Sequence, residues 1–303
     1  GRAERPLPRR VESLSVIVDR LALVGTGLIG GSFALALKQA GAVREVLGVG
    51  RNPARLTVAR ELGLIDRAAD WAEAGQADCI LLAMPVGETE AVLNKLAPHL
   101  KAGAIVTDAG STKANVVEVA RAALGTRFAD FVPGHPIAGS EQSGPGAARA
   151  DLYQGKRVVL TPQAETRAGA IAMVRTLWEA TGAQVETLEA AQHDRIFAAV
   201  SHLPHLAAFA LVDDLAQRAD GDTFFRFAAS GFRDFTRIAG SSPEMWRDIA
   251  LANRGALVAE LDAYLASLQA LRSAVSADDA EALLAIFSRA RAAREHWLKT
   301  QDV

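Results

Sequence analysis

Several short stretches of this 303-residue chain carry side chains that a plain strand, helix or loop does not need. "DAGSTK" supplies Asp108, Ser111 and Lys113 directly after an apolar run, and "GHPIAGSEQSG" (134–144) sets His135 and Glu141 among glycines and a proline. Such a stretch is not expected to be an ordinary helix or strand, so His135 either shapes a loop or moves a proton. "HDRIFAAVSHLPH" (193–205) places Asp194, Ser201 and His205 on one stripe of an apolar helix, at spacings of seven and four. "GFRDFTRIAGSSPEMWRDI" (231–249) gathers Arg233, Asp234, Arg237, Trp246 and Arg247. Arginines interleaved with aromatics suit a carboxylate-bearing ligand or a subunit interface. Taken alone, each of the loop residues serves equally well as a turn former.

A glycine motif gives these groups a reactant. "GTGLIG" holds Gly25, Gly27 and Gly30 in G-x-G-x-x-G spacing, at the end of an expected strand and the start of an expected helix. Gly25 permits the tight turn, Gly27 lets backbone approach a pyrophosphate, and Gly30 lets helix pack on sheet. The amides of Leu28 and Ile29 open the helix toward the anion. The acidic residue that usually binds the ribose 2′-hydroxyl of NAD is missing: position 50 is glycine, followed by Arg51 and, one turn on, Arg55. Guanidinium groups there suit a 2′-phosphate, so NADP is the expected cofactor, with NAD possible.

The elements that must hold these residues alternate through the first 190 positions. Strands are expected at 20–25, 45–50, 78–85, 104–110, 131–134, 157–162 and 183–189, the later ones continuing one sheet. Helices are expected at 28–41 and at 52–63, the latter with Asn52 as cap, Pro53 in its first turn and Gly63 at its end. Beyond 190 the strand signal fades into long helices: 190–218, kinked at Pro204; 243–271, capped by Ser242; and 277–298, capped by Ser276 with Asp278 and Asp279 in its first turn. The expected organisation is a flexible segment at 1–18, a dinucleotide-binding domain at 19–190 and a helical substrate and dimerisation domain at 191–303. The chain begins with glycine, which suggests a processed or truncated end.

Composition narrows the field. Apolar residues make up 50 %, and Lys+Arg 33 against Asp+Glu 35 leaves a net charge of -2, so no nucleic-acid partner is expected. No uncharged run of about 18 apolar residues is evident, so no membrane span is expected. A single cysteine, Cys79, in an apolar run suits a buried, inert thiol in a reducing cytoplasm. No metal site is expected.

Taken in order, "GTGLIGGS", "DAGSTK", "GHPIAGSEQSG", "HDRIFAAVSHLPH" and "GFRDFTRIAGSSPEMWRDI" make the chain resemble the prephenate/arogenate (cyclohexadienyl) dehydrogenases of tyrosine biosynthesis, from about residue 20 to 298. The resemblance implies a Rossmann-type domain followed by an all-α dimerisation domain, an arrangement like that of 6-phosphogluconate dehydrogenase. The regulatory domain that some relatives append is not expected here, and the Ala- and Leu-rich helices after residue 190, with more apolar surface than one thin bundle buries, lead to the expectation of a homodimer through the helical domain. The resemblance also implies oxidative decarboxylation of prephenate or arogenate with hydride transfer to the cofactor. By resemblance His135 accepts the substrate's hydroxyl proton, with Ser111 hydrogen-bonded to it, to the hydroxyl or beside the cofactor. Arg237 holds a substrate carboxylate, and His205, Glu141 and Ser201 line the pocket. Asp234 and Trp246 support its shape, Trp246 from this subunit or its partner, and Lys113 receives no role. Two rivals remain. A β-hydroxyacid dehydrogenase would use a lysine on an interdomain helix, yet residues 157–298 contain none. A non-catalytic NADP-binding regulator would have no need of His135 together with Arg237.

Overall fold

The computed structural model describes residues 16–139 and 142–301. Six strands form a fully parallel sheet in the order β3-β2-β1-β4-β5-β6: β1 (Val18–Val24), β2 (Val43–Val49), β3 (Arg67–Ala68), β4 (Cys79–Leu82), β5 (Ile105–Asp108) and β6 (Phe131–Val132). β4 and β5 are buried throughout, as near-continuous apolar strands covered on both faces must be. On one face, Phe33 and Leu37 of α1 (Leu28–Gln39) pack with Trp178 of α6 (Ala168–Ala180). On the other, Leu93 and Leu96 of α4 (Thr89–Leu96) pack with Val116 and Ala120 of α5 (Ala114–Leu124). Strand order reverses between β1 and β4, which opens a crevice beyond their carboxyl ends. α2 (Pro53–Glu61) has the expected cap, Asn52 accepting from the amides of Ala54 and Arg55. The short β3 and α3 (Trp71–Ala74) fall below the length at which a sequence pattern is readable.

The strands after residue 132 do not continue this sheet. β7 (Gly134–Pro136), β8 (Arg157–Leu160) and β9 (Gln184–Thr187) form a separate three-stranded sheet, with β7 antiparallel to β8 and His135 opposite Val159. Pro133 separates β6 from β7 and has no amide hydrogen to carry the parallel ladder on. His135 is therefore a strand residue, contrary to the loop expected for it, and the glycine-rich loop begins only after it.

After β9 the described residues are helical. α7 (Ala190–Phe197) runs through a π-helical turn at Ala198–His202 into α8 (Leu203–Ala216). That wide turn absorbs the irregularity expected of Pro204, which sits in the first turn of α8. The run 190–216 is long and apolar enough to cross a membrane by length and composition, with mean hydropathy 1.5, but it carries Asp194, whose carboxylate is engaged inside the fold. α9 (Gly221–Phe227) and α10 (Ser230–Thr236) follow, then a 3-10 turn at Arg237–Gly240 packed against α8. The single helix expected at 243–271 is two: α11 (Pro243–Ala252), capped by Ser242 as expected, and α12 (Arg254–Ser276). They part at Asn253, whose side chain is drawn into the site described below. α13 (Ala280–Gln301) starts later than expected, because Ser276 still belongs to α12 and Asp279 supplies the cap, accepting from Ala282 N at 2.9 Å. The chain groups into one compact unit ending at Arg254 and a helical unit from Gly255 onward. Expectations for residues 1–15 and for Glu141 lie outside the described residues.

Candidate active site

The crevice beyond β1 and β4 is a cavity of about 470 Å³ lined by Gly25, Gly27, Gly50, Arg51, Arg55 and Met84, among others. The glycines earn their places by contact. Gly25 has φ +98°, and a Cβ there would lie 2.5 Å from the Ala83 carbonyl oxygen; one on Gly30 would lie 2.3 Å from the Gly25 carbonyl oxygen. Gly27 has nothing within 4 Å of a Cβ position, and it caps α1 without a side-chain hydrogen bond. The amides of Leu28 and Ile29 in the first turn of α1 therefore face an open backbone cradle, which fits a pyrophosphate. The Ile29 carbonyl is fixed by Tyr153 Oη at 2.6 Å. At the far end of the cavity Gly50 is exposed, Arg55 lines the wall, and Arg51 Nη2 is paired with Glu88 Oε1 at 2.6 Å. Glu88 was not foreseen: it lies 37 positions from its partner, in a stretch with no motif.

A second assembly of side chains stands beyond the ends of β5 and β6. Asp108, the last residue of β5, is 3 % exposed and anchors both loops that carry chemistry. Its carboxylate pairs with the fully buried Lys113 ammonium and accepts from the amides of Gly110 (2.8 Å) and Gly134 (3.1 Å). Lys113 Nζ also donates to the Gly134 carbonyl at 2.7 Å, so it ties the "DAGSTK" loop to β7. Burial pulls the lysine below its usual pKa, against the opposing pull of Asp108. Lys113, left without a role by the sequence, is thus the internal tie that seats His135.

From there an unbroken hydrogen-bonded chain runs into α7. His135 Nδ1 lies 2.8 Å from His193 Nε2, and His193 Nδ1 lies 2.9 Å from Asp194 Oδ1. The Asp194 carboxylate also accepts from Lys113 N (2.7 Å) and Ala114 N (2.8 Å), capping α5 from a different helix. Asn253 Nδ2 donates to the Asp194 carbonyl (2.8 Å) and to His202 Nδ1 (3.1 Å). Phe197 closes the cluster edge-on to the His135 ring, at 4.9 Å between centroids. Burial pushes His135 well below the ordinary histidine value, and the neighbouring His193, Lys113 and His202 add to the shift. Burial also lowers His193, with the Asp194 hydrogen bond opposing, and brings His202 down to about 4. For Asp194 burial works upward, but hydrogen bonds from His193, Ala114 and Lys113 outweigh it and hold the carboxyl below its usual range.

His205 sits one turn beyond the π-helical turn. Its Nδ1 donates to the Ser201 carbonyl at 2.8 Å, and its ring stacks on Trp246 at 3.6 Å between centroids. Trp246 is buried within its own chain, so a partner subunit is not needed to supply it. Ser111 is half-buried on the loop between β5 and Lys113. Arg237 opens the 3-10 turn against α8 and is exposed. Asp234 is 79 % exposed and 4.0 Å from Arg233, and is not brought together with the imidazoles. His193, His202 and Asn253 belong to the cluster but were missed. The signals available were the paired "HD" and a lone asparagine in an apolar stripe.

The comparisons with known proteins converge. The sequence matches the family described as prephenate dehydrogenase, nucleotide-binding domain, over residues 33–187, and prephenate dehydrogenase, dimerization domain, over 189–289. The first match begins beyond Gly30, so the glycine cradle stands on its own geometry. Prephenate dehydrogenase of Bacillus subtilis (strain 168) is 37 % identical over 284 residues, 91 % of this chain and 76 % of that protein. Cyclohexadienyl dehydrogenase of Zymomonas mobilis is 36 % identical, covering 92 % of this chain and 96 % of that one. The crystal structure of Aquifex aeolicus prephenate dehydrogenase with hydroxyphenyl propionate and NAD+ superposes with a TM-score of 0.87 at 36 % identity, covering 94 % of this chain and 99 % of that one. Synechocystis arogenate dehydrogenase gives a TM-score of 0.77 at 32 % identity over 92 % of this chain and 99 % of its own.

Proposed function

This chain belongs to the prephenate dehydrogenase family, and on that premise we propose that it oxidatively decarboxylates prephenate, arogenate or both, giving 4-hydroxyphenylpyruvate or tyrosine. The observation that carries the reading is His135: half-buried, with its pKa driven down by burial, and seated at the carboxyl end of the sheet whose crevice offers the pyrophosphate cradle. A bound nicotinamide ring supplies the hydride acceptor. His135 Nε2 takes the ring hydroxyl proton as the C–H electron pair leaves. The ring carboxylate departs as carbon dioxide, its bonding electrons complete the aromatic ring, and the phenolate oxygen regains the proton from His135. Ser111 orients the hydroxyl or the imidazole. Arg237 anchors a substrate carboxylate, as a guanidinium fork does. His205, Ser201, Glu141, Asp234 and Trp246 are assigned to the pocket and its support. The test is spectrophotometric: NAD(P)H should appear, with release of carbon dioxide, when prephenate or arogenate is added, and failure with both would overturn the reading.

The finer assignments rest on single features. NADP is used at least as well as NAD, because Gly50, Arg51 and Arg55 stand where an acidic residue would select NAD; a tenfold preference for NAD would refute this. The boundary between the nucleotide-binding and helical domains lies near residue 190, where the last strand ends. The buried thiol of Cys79 suits the cytoplasm. The enzyme is a homodimer through its helical part: Phe224, Phe225, Phe227 and Phe232 line an open apolar cavity of about 320 Å³, with Phe227 75 % exposed, and on α13 Leu284 and Phe287 are 68 % and 56 % exposed. Sedimentation at the 32.0 kDa of one chain at micromolar concentration would contradict a dimer.

A further inference from the structure

We infer that His193 and Asp194 are positioning residues that lock His135 as the tautomer with hydrogen on Nδ1, so that its Nε2 always offers a lone pair to the substrate hydroxyl. The inference rests on the proposed role of His135 as proton acceptor and adds how that role is enforced. The argument starts at Asp194. Its two oxygens accept from the Lys113 and Ala114 amides, which can only donate, and this fixes the carboxylate as an acceptor. His193 Nδ1, 2.9 Å away, must then carry the hydrogen. In neutral His193 the other nitrogen, Nε2, is a bare lone pair. It faces His135 Nδ1 at 2.8 Å, a distance that requires one hydrogen between the two nitrogens, and that hydrogen must therefore belong to His135. His135 Nε2 is left unprotonated.

The groups packed around the two imidazoles favour this arrangement. Lys113, from the "DAGSTK" loop, and His202, from the π-helical turn, oppose a second proton on the pair, and burial does the same. Asp194 and, less strongly, Asp108 favour a proton on His193, but the Asp194 charge is shared with two amides and Asp108 is paired with Lys113. When His135 takes the substrate proton it keeps its Nδ1 hydrogen bond to His193. The imidazolium charge then lies one ring away from the Asp194 carboxylate, an arrangement analogous in logic to the orienting carboxylate of a catalytic triad.

The test combines kinetics with a direct view of the tautomer. In 15N-histidine-labelled wild-type protein, long-range 1H–15N spectra should show His135, identified by its loss in His135→Asn, with a protonated Nδ1 and a bare Nε2. His193→Leu should lower kcat by on the order of 100-fold with KM for substrate and cofactor nearly unchanged. His193→Gln can set its amide oxygen where Nε2 stands and should recover at least tenfold of that loss. Asp194→Asn, which can present a donor to His193 and reverse the chain, should lose at least as much kcat as His193→Leu. A His135 protonated on Nε2 in the wild type overturns the inference. So does a His193→Leu enzyme that keeps more than a third of kcat, or a His193→Gln enzyme no better than His193→Leu. If the wild type turns over neither prephenate nor arogenate, the proposed function fails, and the spectra decide the tautomer by themselves.

Discussion

The nucleotide crevice and the imidazole cluster, which stand beyond the carboxyl ends of neighbouring strands of one sheet, are built by different means. The crevice is made of backbone: a left-handed Gly25, a helix start left open at Gly27, and a crossing at Gly30 too close for any side chain. The imidazole cluster is made of side chains from β5, β7, α7, the π-helical turn and Asn253, joined across sequence separations of 58 and 81 residues. A backbone site depends on local conformation and tolerates changes in its surroundings. A side-chain relay depends on several elements arriving together, and each link lies in a low-dielectric interior where an unmatched partner is costly.

The sharpest way to break that contrast is His135→Asn. Turnover should fall 10²–10⁴-fold while cofactor affinity, read by fluorescence titration, hardly moves; retention of more than a tenth of turnover would reduce His135 to a strand residue. Lys113→Met comes next. It leaves the Asp108 carboxylate buried without its cation and should destabilise the protein by about 3–5 kcal/mol in denaturant unfolding, where less than about 1 would mean that the pair is not the tie between loop and strand.

Acid should also separate the two regions. His202 is held near 4 in the folded protein and returns to the ordinary 6.5 when unfolded. Between those values only the unfolded chain takes the proton, so stability is full above about pH 6.5 and is lost as pH falls toward 4, by on the order of 3 kcal/mol. A His202→Asn variant that folds should show a flatter urea-midpoint profile over that window, and a profile as steep as wild type would remove His202 as the source. Arg237→Ala should raise substrate KM by roughly 10–150-fold, about 1.5–3 kcal/mol in binding, with kcat and melting temperature near wild type, since the side chain is exposed. A lowered melting temperature with unchanged KM would make Arg237 structural. Smallest is Glu88→Gln. Freeing the exposed Arg51 from its half-buried partner should shift the NADP-to-NAD ratio of kcat/KM toward NADP by only a few-fold, and a shift toward NAD would mean that Arg51 does not face the 2′-phosphate.

The same division explains what could be read from the sequence. Glycine spacing, the Asn52 cap and the buried strands are encoded by residues that neighbour one another, so the crevice and the order of its elements were legible. His135 stood out because its loop motif is dense. The failures share one cause, the absence of distance information. Pro133 marks locally that a strand cannot run on, but nothing local says that a second sheet begins after it, and nothing near Lys113 reveals that the carboxylate five residues back becomes its buried partner. His193 and His202 read as ordinary polar positions on a helix until Asp194 and Asn253 are placed beside them. For Arg237 the aromatic neighbours in sequence say nothing of its exposure, and the fold leaves it exposed.

The π-helical turn at Ala198–His202 has an evolutionary corollary. One residue more than a regular helix needs is stored there, and everything after it is rotated by about 100° relative to an uninterrupted helix. Deleting a single alanine from 198–199 would leave composition, hydropathy and helix length almost untouched. It would nevertheless turn His202 away from Asn253 and His205 away from Trp246 while leaving His193 and Asp194 in place. A one-residue gap at this point between two related chains is therefore a change in the geometry of the imidazole cluster, whereas a gap of the same size between α8 and α9 is a change of loop length. Relatives that share the imidazole chemistry should conserve the length of this segment more strictly than the identities of the residues within it.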